Sequence, residues 1–263
     1  MSNPKVLIVI PTYNGRDYIS ETIESCLEQD YNNIDILVID DNSTDDTLDV
    51  LSKFGDSIEV IYNDINLGLP KNINKGVLSK ESDFFIYLGH DDKLPKSHVS
   101  KMIGCFEHNT VAVHCNSWLI DSNSNIIKQS KNDDLQIKKT NNILNELTIN
   151  NFISVVGMMH RTSAFKAISG WDESYNLYGE WLYYIRLCSQ GVIKYSRDSS
   201  AYYRVHDTNV SSSLYSRGRN VSFYKYKTHC RFKAFKQSLN LCILPKLVYV
   251  QVKELLFHIR MYR

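Results

Sequence analysis

Two pairs of adjacent carboxylates are the residues of this sequence best suited to chemistry. Asp40-Asp41 and Asp91-Asp92 each follow directly after a short apolar run. Carboxylates of this kind hold a hard divalent cation when one or two of them act together with the phosphates of a substrate. A single pair in a loop is more often only solvated, so the chemistry depends on whether the fold brings both pairs together.

The first hundred residues alternate short β-rich runs with helical patterns. This alternation is typical of a mostly parallel sheet with crossover helices. We predict four strands, at residues 6–10, 34–39, 58–62 and 84–88. Right-handed crossovers place the carboxyl ends of such strands at one edge of the sheet, where ligands bind in open α/β folds. Both carboxylate pairs are therefore predicted to lie at one ligand-binding edge.

Composition limits the class of protein. The 263 residues are 43% hydrophobic and 22% charged, which excludes a disordered, collagenous or coiled-coil protein. No GxGxxG or GxxxxGK loop follows the predicted strands, and this disfavours a dinucleotide enzyme or a P-loop NTPase. The six cysteines lack CxxC spacing and are predicted to be ordinary buried thiols. Residues 121–150 are polar and aperiodic, so we predict a loop or a short helix there.

An ordered set of motifs runs through most of the chain. It comprises VLIVIPTYN at 6–14, DILVIDDNSTDDT at 35–47, NLG through NKG at 66–76, LGHDD at 88–92, GWDE at 170–173, Gly179-Glu180 with Arg186 six residues on, and YRVH at 203–206 followed by serines at 211–213. This set resembles the inverting glycosyltransferases of family 2, which have the GT-A fold. The resemblance covers about residues 5–213, and its specificity comes from the order of the motifs.

The resemblance implies a nucleotide-sugar site in the first half of the chain. Pro11 and Tyr13 would line the pocket for the nucleotide base, and Asp41 would accept a hydrogen bond from a uracil N3–H. Lys71 would approach the diphosphate of the donor. Arg204 would neutralise charge on the leaving group or, alternatively, anchor a loop. The implied donor is a UDP-sugar.

The resemblance also implies a metal site at the second carboxylate pair. Asp91 and Asp92 would bind Mn²⁺ or Mg²⁺, and Asp91 would also contact the donor. His206 would reach the metal or the diphosphate. The family's leading aspartate is replaced by Gly89 in this chain.

Glu180 occupies the position of the family's acceptor-activating carboxylate. The family usually has a second acid directly before this position, where this chain has Gly179. Inversion needs only one base to take the proton of the acceptor hydroxyl, so Glu180 alone is sufficient for the chemistry. The alternative for Glu180 is an acidic helix N-terminus that interacts with the helix dipole. Trp171 and Asp172 are expected to bind the acceptor, within variable segments at 115–130 and 150–175 that set specificity.

Charge divides the chain into two parts. Residues 215–263 contain 11 Lys and Arg against one Glu, whereas residues 1–214 contain 19 Lys and Arg against 28 Asp and Glu. We predict a GT-A domain at 1–214, with a nucleotide-sugar half (1–110) and an acceptor half (111–214), and a basic amphipathic helical extension at 215–263. The extension is predicted to attach to an anionic membrane surface, with packing on the domain as the alternative.

The combined prediction is a bacterial, metal-dependent, inverting hexosyltransferase. It would move Gal or Glc from a UDP-sugar in β linkage onto a lipid-linked acceptor such as GlcNAc-diphospho-undecaprenol, in O-antigen or other surface polysaccharide synthesis. The expected location is cytoplasmic, peripheral to the inner face of the cell membrane. Two alternatives stay open: a catalytically silent nucleotide-sugar or glycan-binding module, and a nucleic-acid-binding protein, which the apolar residues of the extension count against.

Overall fold

A computed structural model describes residues 3–175, 179–207, 209 and 221–261 of the chain. The strands are β1 (Val6–Thr12), β2 (Ile34–Asp40), β3 (Glu59–Tyr62), β4 (Phe84–Tyr87), β5 (Thr110–Ile120), β6 (Ile126–Gln129), β7 (Met159–Arg161) and β8 (Val192–Arg204). The described α-helices are α1 (Ile19–Leu27), α2 (Thr47–Ser52), α3 (Leu69–Ser79), α4 (His98–Gly104), α5 (Asp133–Thr140), α6 (Ile143–Leu147), α7 (Thr162–Ala167), α8 (Glu180–Leu187), α9 (Val221–Ser238) and α10 (Leu244–Met261).

The strands form one mixed sheet flanked by helices. The order across the sheet is β3-β2-β1-β4-β7-β5-β6, and β8 pairs with β5. β1 pairs in parallel with β2 and β4, and β2 pairs in parallel with β3. Thr12 lies opposite Asp40 in this register, so the carboxyl ends of neighbouring strands meet at one edge. The four predicted strands and their common edge are confirmed.

Successive side chains of β1 point to opposite faces of the sheet, and they contribute to a hydrophobic core on each face. Leu7 and Val9 belong to one fully buried cluster, and Val6, Ile8 and Ile10 belong to the other. Burial on both faces explains the continuous apolar run, which is typical of a parallel strand covered by helices.

The prediction of a loop or a short helix at 121–150 is confirmed for its helical part, but it missed a strand. This segment contains strand β6 and helices α5 and α6. A turn anchored by Asp121, whose Oδ1 accepts the N–H groups of Asn123 and Asn125, reverses the chain into β6. All four residues of β6 are exposed, so no apolar periodicity marked the strand in the sequence.

The described part of the C-terminal extension forms two helices, and α9 packs on the domain. Tyr226, Cys230 and Ala234 are buried members of one of the two cores. Leu247 of α10 is also buried, although most of α10 is exposed. For α9, the structure therefore agrees with the alternative prediction that the extension packs on the domain. In the described part of the chain, no helix combines the length and apolarity that spanning a bilayer requires.

The six cysteines are free thiols.

Candidate active site

Two loops at the carboxyl ends of β1 and β2 are hydrogen-bonded to each other. Asn14 N donates to Ser43 Oγ at 2.9 Å, and Thr44 N donates to Asn14 Oδ1 at 2.8 Å. Asn14 has a φ of 53°, in the left-handed region that asparagine tolerates better than most residues. The linked loops bury Pro11 and leave the Tyr13 side chain 46% exposed at the edge of the sheet.

Asp41 is held as an ionised acceptor beneath this edge. Its Oδ1 accepts from Asn63 Nδ2 at 2.9 Å and from Leu67 N at 2.7 Å, and its Oδ2 accepts from Gly68 N at 2.9 Å. Burial raises the pKa of Asp41, but these donors outweigh burial and hold that pKa below its usual value. An ionised carboxylate is suited to accept one further N–H from a ligand.

Lys71 lies in the first turn of α3, three residues beyond the Gly68 N–H that binds Asp41. Its side chain is exposed. This location is compatible with the predicted approach to a diphosphate, which stays a prediction.

The second carboxylate pair is tied to the segment that follows β8. Asp91 Oδ2 lies 2.9 Å from His206 Nε2 and accepts from Asn209 Nδ2 at 3.1 Å. Asp92 Oδ1 accepts the backbone N–H of Arg204 at 3.1 Å. The fold therefore brings His206 to a carboxylate pair more than a hundred residues earlier in the chain. The serines at 211–213, which close the same motif, lie outside the described residues.

Gly89 leaves no room for a side chain beside this pair. A Cβ atom at position 89 would lie 2.8 Å from Asp91 Oδ1 and 2.9 Å from Asp92 Oδ2. The two carboxylates therefore lie against the backbone at the position where the family usually has its leading aspartate.

The donor set at this pair fits a divalent cation. Two adjacent ligands of an octahedral ion bound at about 2.1 Å lie about 3 Å apart, close to the separation of Asp91 Oδ2 and His206 Nε2. Carboxylate oxygens and an imidazole suit Mn²⁺, with substrate phosphates and water completing the shell. Within the residues that the structure describes, no group of three or more His, Cys, Asp or Glu side chains is arranged to hold a metal ion by itself.

Arg204 is a buried anchor in this structure. Its side chain is fully buried and its guanidinium lies 4.6 Å above the Tyr18 ring. The guanidinium donates to the backbone carbonyls of Asp91, Asp121 and Ser122, to Ser124 Oγ and to Glu21 Oε2. These contacts favour the loop-anchoring alternative over a direct contact with the leaving group.

Glu180 is the first residue of helix α8 and is half-buried. Burial raises the pKa of Glu180 to about 7, and the Lys131 ammonium opposes this rise. Burial also raises the pKa of Tyr87, with further contributions from the charges of Glu180, Asp92 and Asp91. A carboxylate that titrates near neutral pH is suited to act as a general base.

Trp171 packs below the site. Its side chain is 4% exposed, and its ring contacts the rings of Tyr87 and Tyr183. Asn74 accepts from Trp171 N at 2.9 Å and donates to Trp171 O at 3.0 Å. This burial favours a packing role over the predicted contact with an acceptor.

Asp172 is more exposed, and its carboxylate accepts from Ser174 N and Ser174 Oγ. Arg186 donates to the backbone carbonyls of Ile168 and Gly170, which joins α8 to this loop. The spacing of Arg186 from Glu180 in the sequence thus has a structural basis. The predicted acceptor contact of Asp172 stays a prediction.

Lys131 is a site residue that the sequence motifs did not reveal. Its Nζ donates to Phe152 O at 2.6 Å, and burial lowers its pKa to about 8, with Lys139 contributing and Glu180 opposing. Lys131 lies in the polar variable segment, where an isolated lysine gives no signal. Asn209 was also missed, because its contact with Asp91 depends on the tertiary fold.

We predict that Lys131→Met shifts the acid limb of the kcat–pH profile upward. Loss of the ammonium removes a charge that lowers the pKa of Glu180, so the base stays protonated to a higher pH. A rise of about 0.5 to 1 pH unit is expected for one charge in a partly buried site. Lys138→Met, at an exposed lysine of the neighbouring helix α5, is the control and should leave the profile unchanged. An unshifted limb in Lys131→Met would contradict this coupling.

Comparison with known proteins adds a family match. The sequence model of glycosyl transferase family 2 matches residues 7–168, more than half of the chain. An uncharacterized glycosyltransferase of Rickettsia typhi (strain ATCC VR-144 / Wilmington) is 29% identical over 217 residues, 80% of this chain and 67% of the relative. A putative teichuronic acid biosynthesis glycosyltransferase, TuaG of Bacillus subtilis (strain 168), is 34% identical over 103 residues, 38% of this chain and 41% of the relative.

Solved structures share the fold. TarS 1-349 of S. aureus in complex with UDP superposes with a TM-score of 0.62 at 22% identity, over 82% of this chain and 63% of that chain. The mannosyltransferase PcManGT of Pyrobaculum calidifontis, in complex with GDP-Man and Mn²⁺, gives a TM-score of 0.65 at 13% identity, over 95% of this chain and 74% of that chain. The chain thus has the GT-A fold, and in the superposition on the UDP complex it spans less than two thirds of the TarS chain.

Proposed function

Because the chain belongs to glycosyl transferase family 2, we propose that it is an inverting hexosyltransferase that moves Gal or Glc from a UDP-sugar to a lipid-linked acceptor. The observation that most supports this proposal is that burial raises the pKa of Glu180 to about 7, and that the charges of Glu180, Asp92 and Asp91 all contribute to the raised pKa of one phenol, that of Tyr87.

The reaction proposed is a single displacement. Glu180 takes the proton of the acceptor hydroxyl, the hydroxyl oxygen attacks the anomeric carbon, and the bond from that carbon to the diphosphate oxygen breaks. Asp91, Asp92 and His206 would hold the divalent cation. When bound, this ion supplies positive charge for the leaving diphosphate. Asp41 accepts the base N–H, and Tyr13 packs against the base.

Two observations support a uridine donor. The ionised Asp41 carboxylate can only accept hydrogen bonds, as a contact with a uracil N3–H requires, and a structural neighbour has been solved with a uridine nucleotide-sugar. TarS 1-349 has been solved in complex with UDP-GlcNAc, and it superposes with a TM-score of 0.63 at 19% identity, over 94% of this chain and 79% of that chain. A lipid-linked acceptor for surface polysaccharide synthesis is supported by the basic extension and by the teichuronic acid role in the name of the B. subtilis relative.

The donor proposal is tested by assaying nucleotide release. Purified protein is incubated with UDP-, GDP- and TDP-sugars, with Mn²⁺ or EDTA, and with a GlcNAc-diphospho-lipid acceptor. We expect Mn²⁺-dependent release of UDP together with a lipid product heavier by one hexose. UDP binding without turnover on any donor would favour the silent binding module, and absence of nucleotide binding would contradict the donor site.

Attachment to the membrane is proposed to use the exposed apolar face of α10. Val248, Val252 and Leu256 lie four residues apart and are each about half exposed, so they share one face of the helix. Lys246 and Lys253 are exposed on the same helix. Apolar side chains bordered by lysines fit the interface of an anionic bilayer, where each lysine contributes about 1 kcal/mol.

We predict that the triple variant Val248→Ser, Val252→Ser, Leu256→Ser binds anionic vesicles about 100-fold more weakly. Each half-exposed side chain that enters the interface contributes about 1 kcal/mol. Cosedimentation with phosphatidylglycerol vesicles measures the effect, and Ile127→Ser at exposed strand β6 is the control. Unchanged cosedimentation of the triple variant would contradict the docking face.

A further inference from the structure

The first turn of α8 carries the proposed base and lacks a cap of its own. Glu180 is the first residue of the helix, and the residue before it, Gly179, has no side chain to cap the free N–H groups. The first N–H groups of a helix have no partner within that helix. One of these groups, the backbone N–H of Leu182, donates to a side chain from another part of the protein.

That partner belongs to the C-terminal extension. The buried hydroxyl of Tyr226 in α9 accepts the backbone N–H of Leu182 at 3.1 Å. The Tyr226 ring packs 4.8 Å from that of Tyr175, which precedes α8 in the chain. Tyr226 therefore caps the turn that begins with Glu180.

A second residue of α9 holds the same turn. Arg231 is fully buried, and its guanidinium lies 5.5 Å from the ring centre of Trp181, the residue after Glu180. Trp181 Nε1 donates to Leu147 O at 2.8 Å, and Arg231 Nε donates to Ile149 O at 3.0 Å. Both side chains are thereby fixed to the backbone around the end of α6.

Arg231 is in turn fixed by α10. Its two terminal nitrogens donate to the two carboxylate oxygens of Glu254 at 2.8 and 2.9 Å. Lys227 forms a second ion pair with Glu254 at 2.9 Å. A two-point bond between a buried guanidinium and a carboxylate is geometrically specific. The contacts thus run from α10 through Arg231 to Trp181, and from Tyr226 directly to Leu182.

We propose that Tyr226 and Arg231 are positioning residues for Glu180, so that these two side chains of the C-terminal extension hold the turn that carries the proposed base. This inference rests on the proposed function of Glu180. It differs from membrane attachment, because an extension that serves only as an anchor would leave transfer to a water-soluble acceptor unaffected.

The test uses two full-length variants and a water-soluble acceptor analogue without vesicles. Tyr226→Phe removes only the hydroxyl that accepts from Leu182. The double variant Arg231→Met, Glu254→Leu removes both members of the buried ion pair, which avoids the main cost of breaking such a pair. It also removes the carboxylate that pairs with Lys227. Phe232→Ala, at an exposed position of α9, is the matched control.

We expect kcat to fall about tenfold in each variant with little change in the KM of the donor, since small displacements of a reacting group reduce the rate more than binding. The Leu182 amide should also exchange its proton for deuterium about tenfold faster in Tyr226→Phe, in line with the loss of a helix cap. Wild-type kcat in both variants, with unchanged exchange at Leu182, would overturn the inference.

The two readouts separate this inference from the proposed function. If the wild-type chain transfers no sugar, the proposed function fails, and the exchange rate of Leu182 still decides whether Tyr226 holds the turn. If the wild-type chain transfers sugar and the variants match it in both readouts, the positioning role fails alone.

Discussion

Glu180→Gln is expected to lower kcat by about 10²- to 10⁴-fold, the range typical of a lost general base. Glutamine has nearly the same shape as glutamate but cannot accept the proton of the acceptor hydroxyl. The Kd of the UDP-sugar should stay within about twofold, because in the proposed mechanism the base acts on the acceptor, whereas Asp41 and Asp91 bind the donor. Steady-state transfer assays and donor titrations measure the two quantities separately.

The pH profile gives this prediction a second readout. Burial raises the pKa of Glu180 to about 7, so the base is protonated and inactive below that pH. The wild-type kcat should rise with pH up to about 7, and this limb should disappear in Glu180→Gln. Glu81→Gln is the control, since Glu81 is an exposed glutamate that pairs with Lys166 at the surface. Normal turnover in Glu180→Gln would refute the assignment.

Asp91→Asn is expected to lower kcat/KM by about 100-fold or more, with a weakened response to Mn²⁺. Asp91 contacts His206 and Asn209 through a single carboxylate oxygen, so the substitution disturbs both the charge and the orientation of the proposed ion site. Loss of a ligand or of a residue that orients one typically reduces metal affinity by at least one order of magnitude.

Calorimetric titration of Mn²⁺ in the presence of UDP tests this effect apart from turnover. The expected result is a much weaker Mn²⁺ affinity in Asp91→Asn than in the wild-type protein. Asp56→Asn, at an exposed aspartate, is the control for the change in net charge. Equal affinities in Asp91→Asn and the wild-type protein would show that the ion is bound elsewhere or is not needed.

Much of the donor half was predictable because its signals are local. The continuous apolar runs marked the parallel strands, and the strand-to-loop boundaries placed Asp41 and Asp91 at the same edge. The family motifs likewise identified Glu180 by its six-residue spacing from Arg186. In the structure this spacing lets Arg186 join α8 to the backbone of Ile168 and Gly170.

Residues whose roles depend on tertiary contacts were not predictable in this way. Lys131 approaches Glu180 from a polar segment with no periodicity. Arg204 matched a motif, yet only the structure shows that carbonyl groups and Glu21 surround its guanidinium. Tyr226 and its bond to Leu182 join positions 44 residues apart. No pattern within either segment indicates that contact.

The stereochemistry of the product tests the central claim most directly. Wild-type protein is supplied with an α-linked UDP-hexose and a GlcNAc-diphospho-lipid acceptor, and the anomeric proton of the transferred sugar is examined by NMR. A single displacement assisted by Glu180 predicts a β-linked product from the α-linked donor. An α-linked product would contradict the account, because retention of configuration excludes direct attack by the activated acceptor from the face opposite the leaving group.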